Sequence, residues 1–210
     1  MAAEEALQDG SLRAQKRIKV SDLLAGFDGP SALRVLSPGS PLHVAELIGL
    51  AIALSDQACS AWLLGAVGIT RVRALIEREG LAIEALSDPL AAGGPLTGTA
   101  TASAALRLIE LADDPTRYPL LATSLEQVVQ ASRIPLGATE EDLRVAHKTG
   151  SLSGVANDVA VIECAAGSVR LAFLSEHQHD TLITGYEMGI CTRGLLEASG
   201  LVAQNSFSLS

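Results

Sequence analysis

The feature that most constrains the fold is an apolar stretch at Val44–Ile69, which is broken once, by the polar residues at Ser55–Gln57. A membrane-spanning helix needs about 20 consecutive apolar residues with few or no charges. This stretch carries Glu46 and Asp56, so it predicts two helices buried in the core of a globular domain. The polar break must then have its hydrogen bonds satisfied, and the simplest prediction is that Ser55 or Asp56 caps the second helix.

The composition of the 210 residues supports a packed core. Apolar residues make up 48% of the chain and charged residues 19%, which is too apolar for a disordered protein. A chain of this length forms one or two domains and can bury roughly 70% of its unfolded surface. The formal net charge of −9 argues against nucleic acids and anionic membranes as partners, because phosphate binding needs a basic face. The cysteines are too widely spaced for a metal-binding pair and predict free thiols at Cys59, Cys164 and Cys191.

The predicted elements are helices in the first part of the chain and strands after Pro135. This order predicts an α/β protein of the α+β type, in which helices and strands are segregated. Apolar periodicity and turn residues predict helices at 2–17 (with a stop possible at Gly10), 41–54, 58–67, 71–79, 100–113, 120–132 and 181–199. Two-residue alternation predicts an antiparallel meander at 144–149, 155–163 and 168–175.

We expect these elements to form a single domain over residues 1–210. A mostly helical lobe is predicted at about 1–132, a sheet with a packing C-terminal helix at about 133–200, and a tail at 201–210. Ser40 followed by Pro41 fits the start of the helix at 41–54. The closing helix has large apolar residues on one side, at Leu182, Ile183, Tyr186 and Ile190.

A short motif at the end of the first predicted strand of the meander suggests a binding site for a carboxylate. Lys148 at a strand end places a cation beside an open groove, and Gly150 allows a ligand to approach the backbone. Thr149 and Ser151 share one side of the strand by its two-residue period, so the motif offers one cation and two hydroxyls. The alternative interpretation is an edge lysine that hinders aggregation, followed by a turn.

The motif at Lys148–Gly150, with Ser55–Gln57 upstream, resembles the Lys-Thr-Gly and Ser-Asp-Asn pair of class A serine β-lactamases and penicillin-binding proteins. The resemblance covers roughly residues 4–200. It implies a β-lactamase/transpeptidase-like fold, with a helical lobe beside an antiparallel sheet and a packing C-terminal helix. The segments that agree with the family are 36–42, 144–152 and 157–162.

The resemblance also implies a role for each motif residue. Ser55 corresponds to the family's proton relay to the leaving nitrogen. Gln57 stands where the family has Asn and corresponds to the amide that holds the substrate's side-chain carbonyl. The implied carboxylate clamp is Lys148, Thr149 and Ser151, with Gly150 between them and a backbone oxyanion donor near Ser153. The implied partner is a small β-lactam or acyl-D-alanine ligand, and the resemblance implies no metal and no cofactor.

The sequence departs from the family pattern at the nucleophile. No serine among the 210 residues has a lysine three positions later, so the Ser-x-x-Lys motif is absent. The family places that motif just before the segment that resembles Ala2–Arg13, which predicts an N-terminally incomplete domain without the first strands of its sheet. Glu84 is the only glutamate in residues 81–98, the region that corresponds to the loop of the family's deacylating glutamate, and we interpret it as a surface residue at a helix end.

The resemblance therefore implies a class A β-lactamase-like serine hydrolase that hydrolyses β-lactam amides through an acyl-enzyme, impaired here by the missing motif. The alternatives are a non-catalytic pseudoenzyme or ligand-binding relic, a D-alanyl-D-alanine carboxypeptidase-like protein, and an interaction module that uses an exposed sheet edge. The family is usually periplasmic or secreted, yet Met1–Glu5 lacks the basic start of a signal peptide. A metal site at His177 and His179 lacks a third ligand, so a solvated loop is predicted there.

Overall fold

The computed structural model describes residues 1–84 and 98–203. The chain divides into two compact units, Met1–Val129 and Gln130–Ser210, called unit 1 and unit 2 below. That the whole chain forms one domain stays a prediction.

Unit 1 is mostly helical, with two short antiparallel strand pairs, β1 with β2 and β3 with β4. Its strands are β1 (Arg17–Lys19), β2 (Pro41–His43), β3 (Ile83–Glu84) and β4 (Thr99–Ala100). Its described helices are α1 (Ala2–Gln8), α2 (Val20–Leu23), α3 (Val44–Ala53), α4 (Gln57–Val67), α5 (Ile69–Arg78), α6 (Ala102–Ala112) and α7 (Pro119–Leu125), with a 3-10 turn at Ala32–Val35.

The structure corrects three details of the predicted elements in unit 1. Pro41 lies in β2, where it pairs with Lys19, so the prediction that Ser40 caps a helix starting at Pro41 is wrong. Pairing with β1 holds this segment extended, and α3 begins three residues later. The predicted helix at 2–17 ends with Gln8, because the chain turns at Gly10 with a left-handed φ of 78°. Glu84 is exposed as predicted, but it lies in β3 rather than at a helix end.

Helices α3 and α4 confirm the interpretation of the apolar stretch. Val44, Leu47 and Ile48 of α3 are buried, and so are Cys59 and Leu63 of α4. Among the described residues, no single helix is both long and apolar enough to cross a membrane. The consecutive helices α4 and α5 meet that test of length and composition only as a pair, and they are bent by 84°.

The start of α7 depends on a buried acidic residue from the other end of unit 1. Glu4 is 2% exposed, and its carboxylate accepts hydrogen bonds from the backbone N–H groups of Leu120 (2.7 Å) and Leu121 (3.1 Å). These are N–H groups that the first turn of a helix cannot satisfy itself. Glu4 therefore caps α7 across a sequence separation that no local pattern could reveal.

We expect Glu4→Ala to lower the free energy of unfolding by about 1–2 kcal/mol, because two backbone N–H groups lose their acceptor. The measurement is urea denaturation followed by circular dichroism. Glu77→Ala, on the exposed face of α5, is the control and should change stability by less than about 0.5 kcal/mol. Equal effects of the two substitutions would contradict the capping role of Glu4.

Unit 2 is a three-stranded antiparallel sheet covered by one long helix. The strand order is β5 (Arg144–Leu152), β6 (Val155–Cys164), β7 (Gly167–Phe173), which confirms the predicted meander. The helix α8 (Thr181–Ala198) packs on the sheet and on a 3-10 turn at Ile134–Gly137. The core of this unit includes Ile134, Ala160, Ile162, Leu171 and Leu196.

The side of α8 that carries its large apolar residues is not the side that packs against the rest of unit 2. Leu182 is 80% exposed, and Ile183, Tyr186 and Ile190 are also exposed. The buried positions of α8 are Gly185, Met188, Gly189, Thr192 and Leu196, so two glycines lie on its buried face. The helix lies so close to the 3-10 turn that a Cβ added at Gly137 would lie 2.1 Å from the carbonyl oxygen of Gly189. Glycine at this contact is therefore required by the close approach of the two backbones.

Candidate functional site

The first predicted site segment, Ser55–Gln57, is the sharp connection between α3 and α4 in unit 1. Ser55 has a φ of 53°, in the left-handed region that a residue with a Cβ seldom adopts. Such a conformation persists only where the surroundings hold it, and strained residues of this kind cluster at functional sites. Ser55 and Gln57 are both exposed, so the two side chains are accessible to a ligand.

Asp56 holds this connection in place. It is 3% exposed, and its Oδ1 accepts a hydrogen bond from the N–H of Cys59 at 3.0 Å, which confirms the predicted cap of α4. The same carboxylate accepts from the hydroxyl of Ser31 at 2.8 Å and from the N–H of Ala32 at 2.7 Å. Asp56 thus joins the start of α4 to the 3-10 turn at Ala32–Val35, which sequence reasoning missed because the partners are about 25 residues apart.

Gln57 occupies the first turn of α4, and its side-chain amide lies close to Gly29. A Cβ added at Gly29 would lie 3.2 Å from Oε1 of Gln57, so the amide rests against the backbone of that loop. Gln57 is one methylene longer than the Asn of the resembling family, and its amide reaches correspondingly farther from the helix. Its role as a ligand contact stays a prediction.

The second predicted segment is the end of β5 in unit 2, where Lys148 is half-buried. Its Nζ donates a hydrogen bond to the carbonyl oxygen of Thr149 at 2.9 Å. Burial lowers the pKa of the Lys148 ammonium, the carboxylate of Asp158 raises it, and the guanidinium of Arg133 lowers it further.

The two hydroxyls of the motif have different surroundings. Thr149 is buried, and its Oγ1 donates to Oε1 of Gln130 at 3.1 Å. Ser151 is exposed, and its Oγ accepts from Nη2 of Arg133 at 2.6 Å. Gly150 is exposed, and the approach of a ligand to the strand backbone at this point stays a prediction.

Ser153, the predicted neighbour of an oxyanion donor, lies in the turn between β5 and β6. The turn is completed by Gly154, which has a left-handed φ of 69°. The carbonyl oxygen of Gly154 accepts a hydrogen bond from the N–H of Gln178 at 2.9 Å. Ser153 itself is exposed, and its part in an oxyanion hole stays a prediction.

Sequence reasoning missed three buried ionisable side chains near the end of β5. Arg133 is 4% exposed, His147 is 3% exposed and Asp158 is fully buried. Oδ1 of Asp158 lies 3.1 Å from Nδ1 of His147, and Oδ2 accepts from the N–H of Ile134 at 3.1 Å. The signal available in the sequence was the two-residue period, which places His147 on the same side of β5 as Thr149 and Ser151.

The segment at 177–180 leads into α8, and Asp180 forms the cap of that helix. Asp180 accepts hydrogen bonds from the N–H groups of Leu182 at 2.9 Å and Ile183 at 3.1 Å, at the start of α8. Among residues 1–84 and 98–203, no group of three or more metal-ligating side chains could hold an ion.

Comparison with known proteins gives one family and several structures. The model of a family described as "Beta-lactamase enzyme family" matches residues 1–186. A β-lactamase from Sphaerobacter thermophilus is 26% identical with a TM-score of 0.78, and the alignment covers 97% of this chain and 80% of that one. No curated protein matches the chain.

Two further structures support the same fold. A variant of the class A β-lactamase of the last common ancestor of Gram-negative bacteria is 27% identical with a TM-score of 0.77, and the alignment covers 95% of this chain and 80% of that one. A variant of PBP-A, solved as an acyl-enzyme complex with penicillin G, is 18% identical with a TM-score of 0.75, over 96% of this chain and 78% of that one. At this lower identity the PBP-A structure shows the fold alone.

Proposed function

The chain belongs to the beta-lactamase enzyme family, and on that premise we propose that it recognises β-lactam amides as a class A β-lactamase-like protein whose hydrolysis is impaired. The observation that carries the proposal is the end of β5, where the half-buried cation Lys148 lies beside the exposed residues Gly150 and Ser151. A β-lactam of the penicillin type carries a carboxylate, for which a fixed cation and a hydroxyl donor are suitable partners.

The local charges favour an anionic ligand at this strand end. Lys148 and Arg133 place two cations at this strand end, in a chain whose formal net charge is −9, and the carboxylate of Asp158 acts on both of them. A ligand carboxylate at Lys148 would replace water around a partly desolvated ammonium, where a charge-assisted hydrogen bond is strong.

The proposed chemical roles of Ser55, Gln57 and Ser153 follow from their correspondence to the motif residues of the family. Ser55 would pass a proton to the leaving nitrogen, and the amide of Gln57 would hold the ligand's side-chain carbonyl. The backbone near Ser153 would donate to the developing oxyanion. Hydrolysis through an acyl-enzyme also needs an activated nucleophile, and no serine of the 210 residues is followed by a lysine three positions later. Without a nucleophile, an enzyme of this type retains at most the contribution of binding and the oxyanion hole.

A second candidate function is a ligand-binding protein without catalysis, which the absent Ser-x-x-Lys motif favours. A D-alanyl-D-alanine carboxypeptidase-like protein would use the same carboxylate clamp, because an acyl-D-alanine peptide also ends in a carboxylate. Binding therefore needs to be tested with a β-lactam and with an acyl-D-alanine peptide.

We expect the 210-residue chain to bind penicillin G reversibly and to form no stable acyl adduct. The measurement is intact mass spectrometry after incubation with penicillin G, combined with calorimetric titration of penicillin G and of an acyl-D-alanyl-D-alanine peptide. A mass increase of one penicillin on a serine would contradict the impairment. Absence of binding of either ligand at millimolar concentration would contradict the proposed function.

A further inference from the structure

The segment that leads into β1 concentrates positive charge in a chain whose formal net charge is −9. Of the 15 lysines and arginines, four lie between residues 13 and 19, namely Arg13, Lys16, Arg17 and Lys19. All four are exposed. Among residues 1–84 and 98–203, none of the four forms an ion pair, whereas ion pairs are formed by Arg71, Arg78, Arg107, Arg117, Arg144 and Arg193. The segment therefore presents a local positive potential to an anionic ligand.

A tight turn brings two of these cations together. The backbone N–H of Lys16 donates to the carbonyl oxygen of Arg13 at 3.1 Å. The first and fourth residues of such a turn have Cα atoms less than about 7 Å apart. Arg17 and Lys19 follow on one face of β1, opposite the buried Ile18. Two like charges held at one turn repel each other, so an anion that contacts both is attracted by each of them.

The turn is held in place on both sides. Leu12 is buried, and its N–H donates to the carbonyl oxygen of Ala6 at 2.8 Å. Nζ of Lys16 lies 5.2 Å from the centre of the Trp62 ring, which is the geometry of a cation–π contact. A ligand at this turn would bind cations that are already positioned, which lowers the cost of ordering them.

The carboxylate that precedes the turn is used elsewhere. Asp9 accepts hydrogen bonds from the N–H of Ser11 at 2.9 Å and from Nη2 of Arg71 at 2.5 Å. These contacts with Ser11 and Arg71 lower the pKa of the Asp9 carboxyl to about 2. Asp9 thus pairs with a helix α5 arginine and leaves the cations of the turn to other anions.

A surface cavity of about 600 Å³ lies at this turn. Its lining residues are Ser11, Leu12, Arg13, Gln15 and Lys16. Binding sites for small molecules have volumes of about 300–1,000 Å³, so the cavity is in the range that suits such a ligand. The lining offers a guanidinium that can bind two oxygens at once, an ammonium and a side-chain amide, all of which can donate to an anion.

We propose that this cavity binds a small molecule that carries phosphate groups, with Arg13 and Lys16 as its direct contacts and Arg17 and Lys19 adding to the positive potential. A phosphate monoester has a charge of about −1.5 to −2 and three acceptor oxygens. It can therefore accept hydrogen bonds from a guanidinium and an ammonium together, whereas a carboxylate has one charge and two oxygens. The cavity shares no residue with the proposed β-lactam site, so this inference is independent of that function.

The experiment uses the 210-residue chain with tripolyphosphate as the probe, and with inorganic phosphate and acetate as comparisons at equal ionic strength. Trp62 is the single tryptophan, so its fluorescence reports on anion binding at Lys16. We expect tripolyphosphate to bind about tenfold more tightly than inorganic phosphate, because it can meet more of the four cations. Acetate should leave the emission unchanged.

Calorimetric titration of variants then identifies the contacts. Arg13→Gln and Lys16→Gln should each weaken tripolyphosphate binding about tenfold, because each removes a charge-assisted hydrogen bond. Arg107→Gln on α6 is the matched control, since it removes an equal charge from an exposed arginine outside the turn. It should change the affinity by less than about twofold, because solvent and salt screen distant charges. Thermal melts verify that the variants fold.

Three outcomes would overturn the inference. One is the absence of tripolyphosphate binding by wild type at millimolar concentration. Another is equal weakening by Arg107→Gln and Arg13→Gln, which would mean that only the net charge matters. The third is a response to acetate as large as that to inorganic phosphate, which would remove the preference for phosphate. Because none of these measurements uses a β-lactam, their failure is distinct from a failure of the proposed function.

Discussion

Asp56→Ala should lower the free energy of unfolding by about 3–5 kcal/mol, a large effect for a single substitution. The buried carboxylate accepts hydrogen bonds from Cys59, Ser31 and Ala32, and each hydrogen bond to a charged group contributes about 1.5–3 kcal/mol. Alanine would leave the buried N–H of Cys59 and the part-buried donors of Ser31 and Ala32 without this acceptor. The measurement is urea denaturation, followed by the fluorescence of the single Trp62, which lies in α4.

The matched control for this prediction is Asp180→Ala. Asp180 caps α8 in the same way, but it is exposed, and its side chain accepts from the N–H groups of Leu182 and Ile183 in the first turn of its own helix. A cap of this kind contributes about 1 kcal/mol. Equal losses for the two variants would show that Asp56 acts as a cap alone and that its contacts with Ser31 and Ala32 contribute nothing.

Lys148→Ala should weaken the binding of penicillin G by about tenfold to a hundredfold, at 1.4 kcal/mol per factor of ten. The substitution removes the cation and leaves the ligand carboxylate poorly paired. Ser55→Ala should have a much smaller effect on affinity, because its proposed role is proton transfer in the chemical step. Calorimetric titration of wild type and both variants, with thermal melts to verify folding, measures the difference. A normal affinity for Lys148→Ala beside a weakened Ser55→Ala would contradict the carboxylate clamp.

The affinity of wild type for penicillin G should also depend on pH in a defined direction. Burial lowers the pKa of Lys148 below its ordinary value of 10.5. Because the protonated form binds the carboxylate, affinity should be highest below this lowered pKa and fall as the pH rises through it. Titrations across the alkaline range, within the stability of the lactam ring, measure the midpoint. A midpoint at or above 10.5 would argue that Lys148 is not the group that binds.

The sequence by itself determined the type and order of most elements and the location of both motifs. The broken apolar stretch became α3 and α4 because a polar residue that follows one apolar helix can cap the next, and Asp56 does so. The alternation after Pro135 became an antiparallel meander. These features follow from neighbours within a few residues, which is the range over which a sequence pattern carries information.

The tertiary structure alone decided which faces and partners these elements have. The face of α8 that packs inward is not its large apolar side, because only glycines allow the backbone of α8 to approach the 3-10 turn so closely. Pro41 lies in a strand because β1 is available to pair with it. The contacts of Asp56 with Ser31, and of Arg133 with Ser151, join residues 25 and 18 positions apart. Such contacts depend on where the folded chain places its buried polar groups, each of which must find a partner.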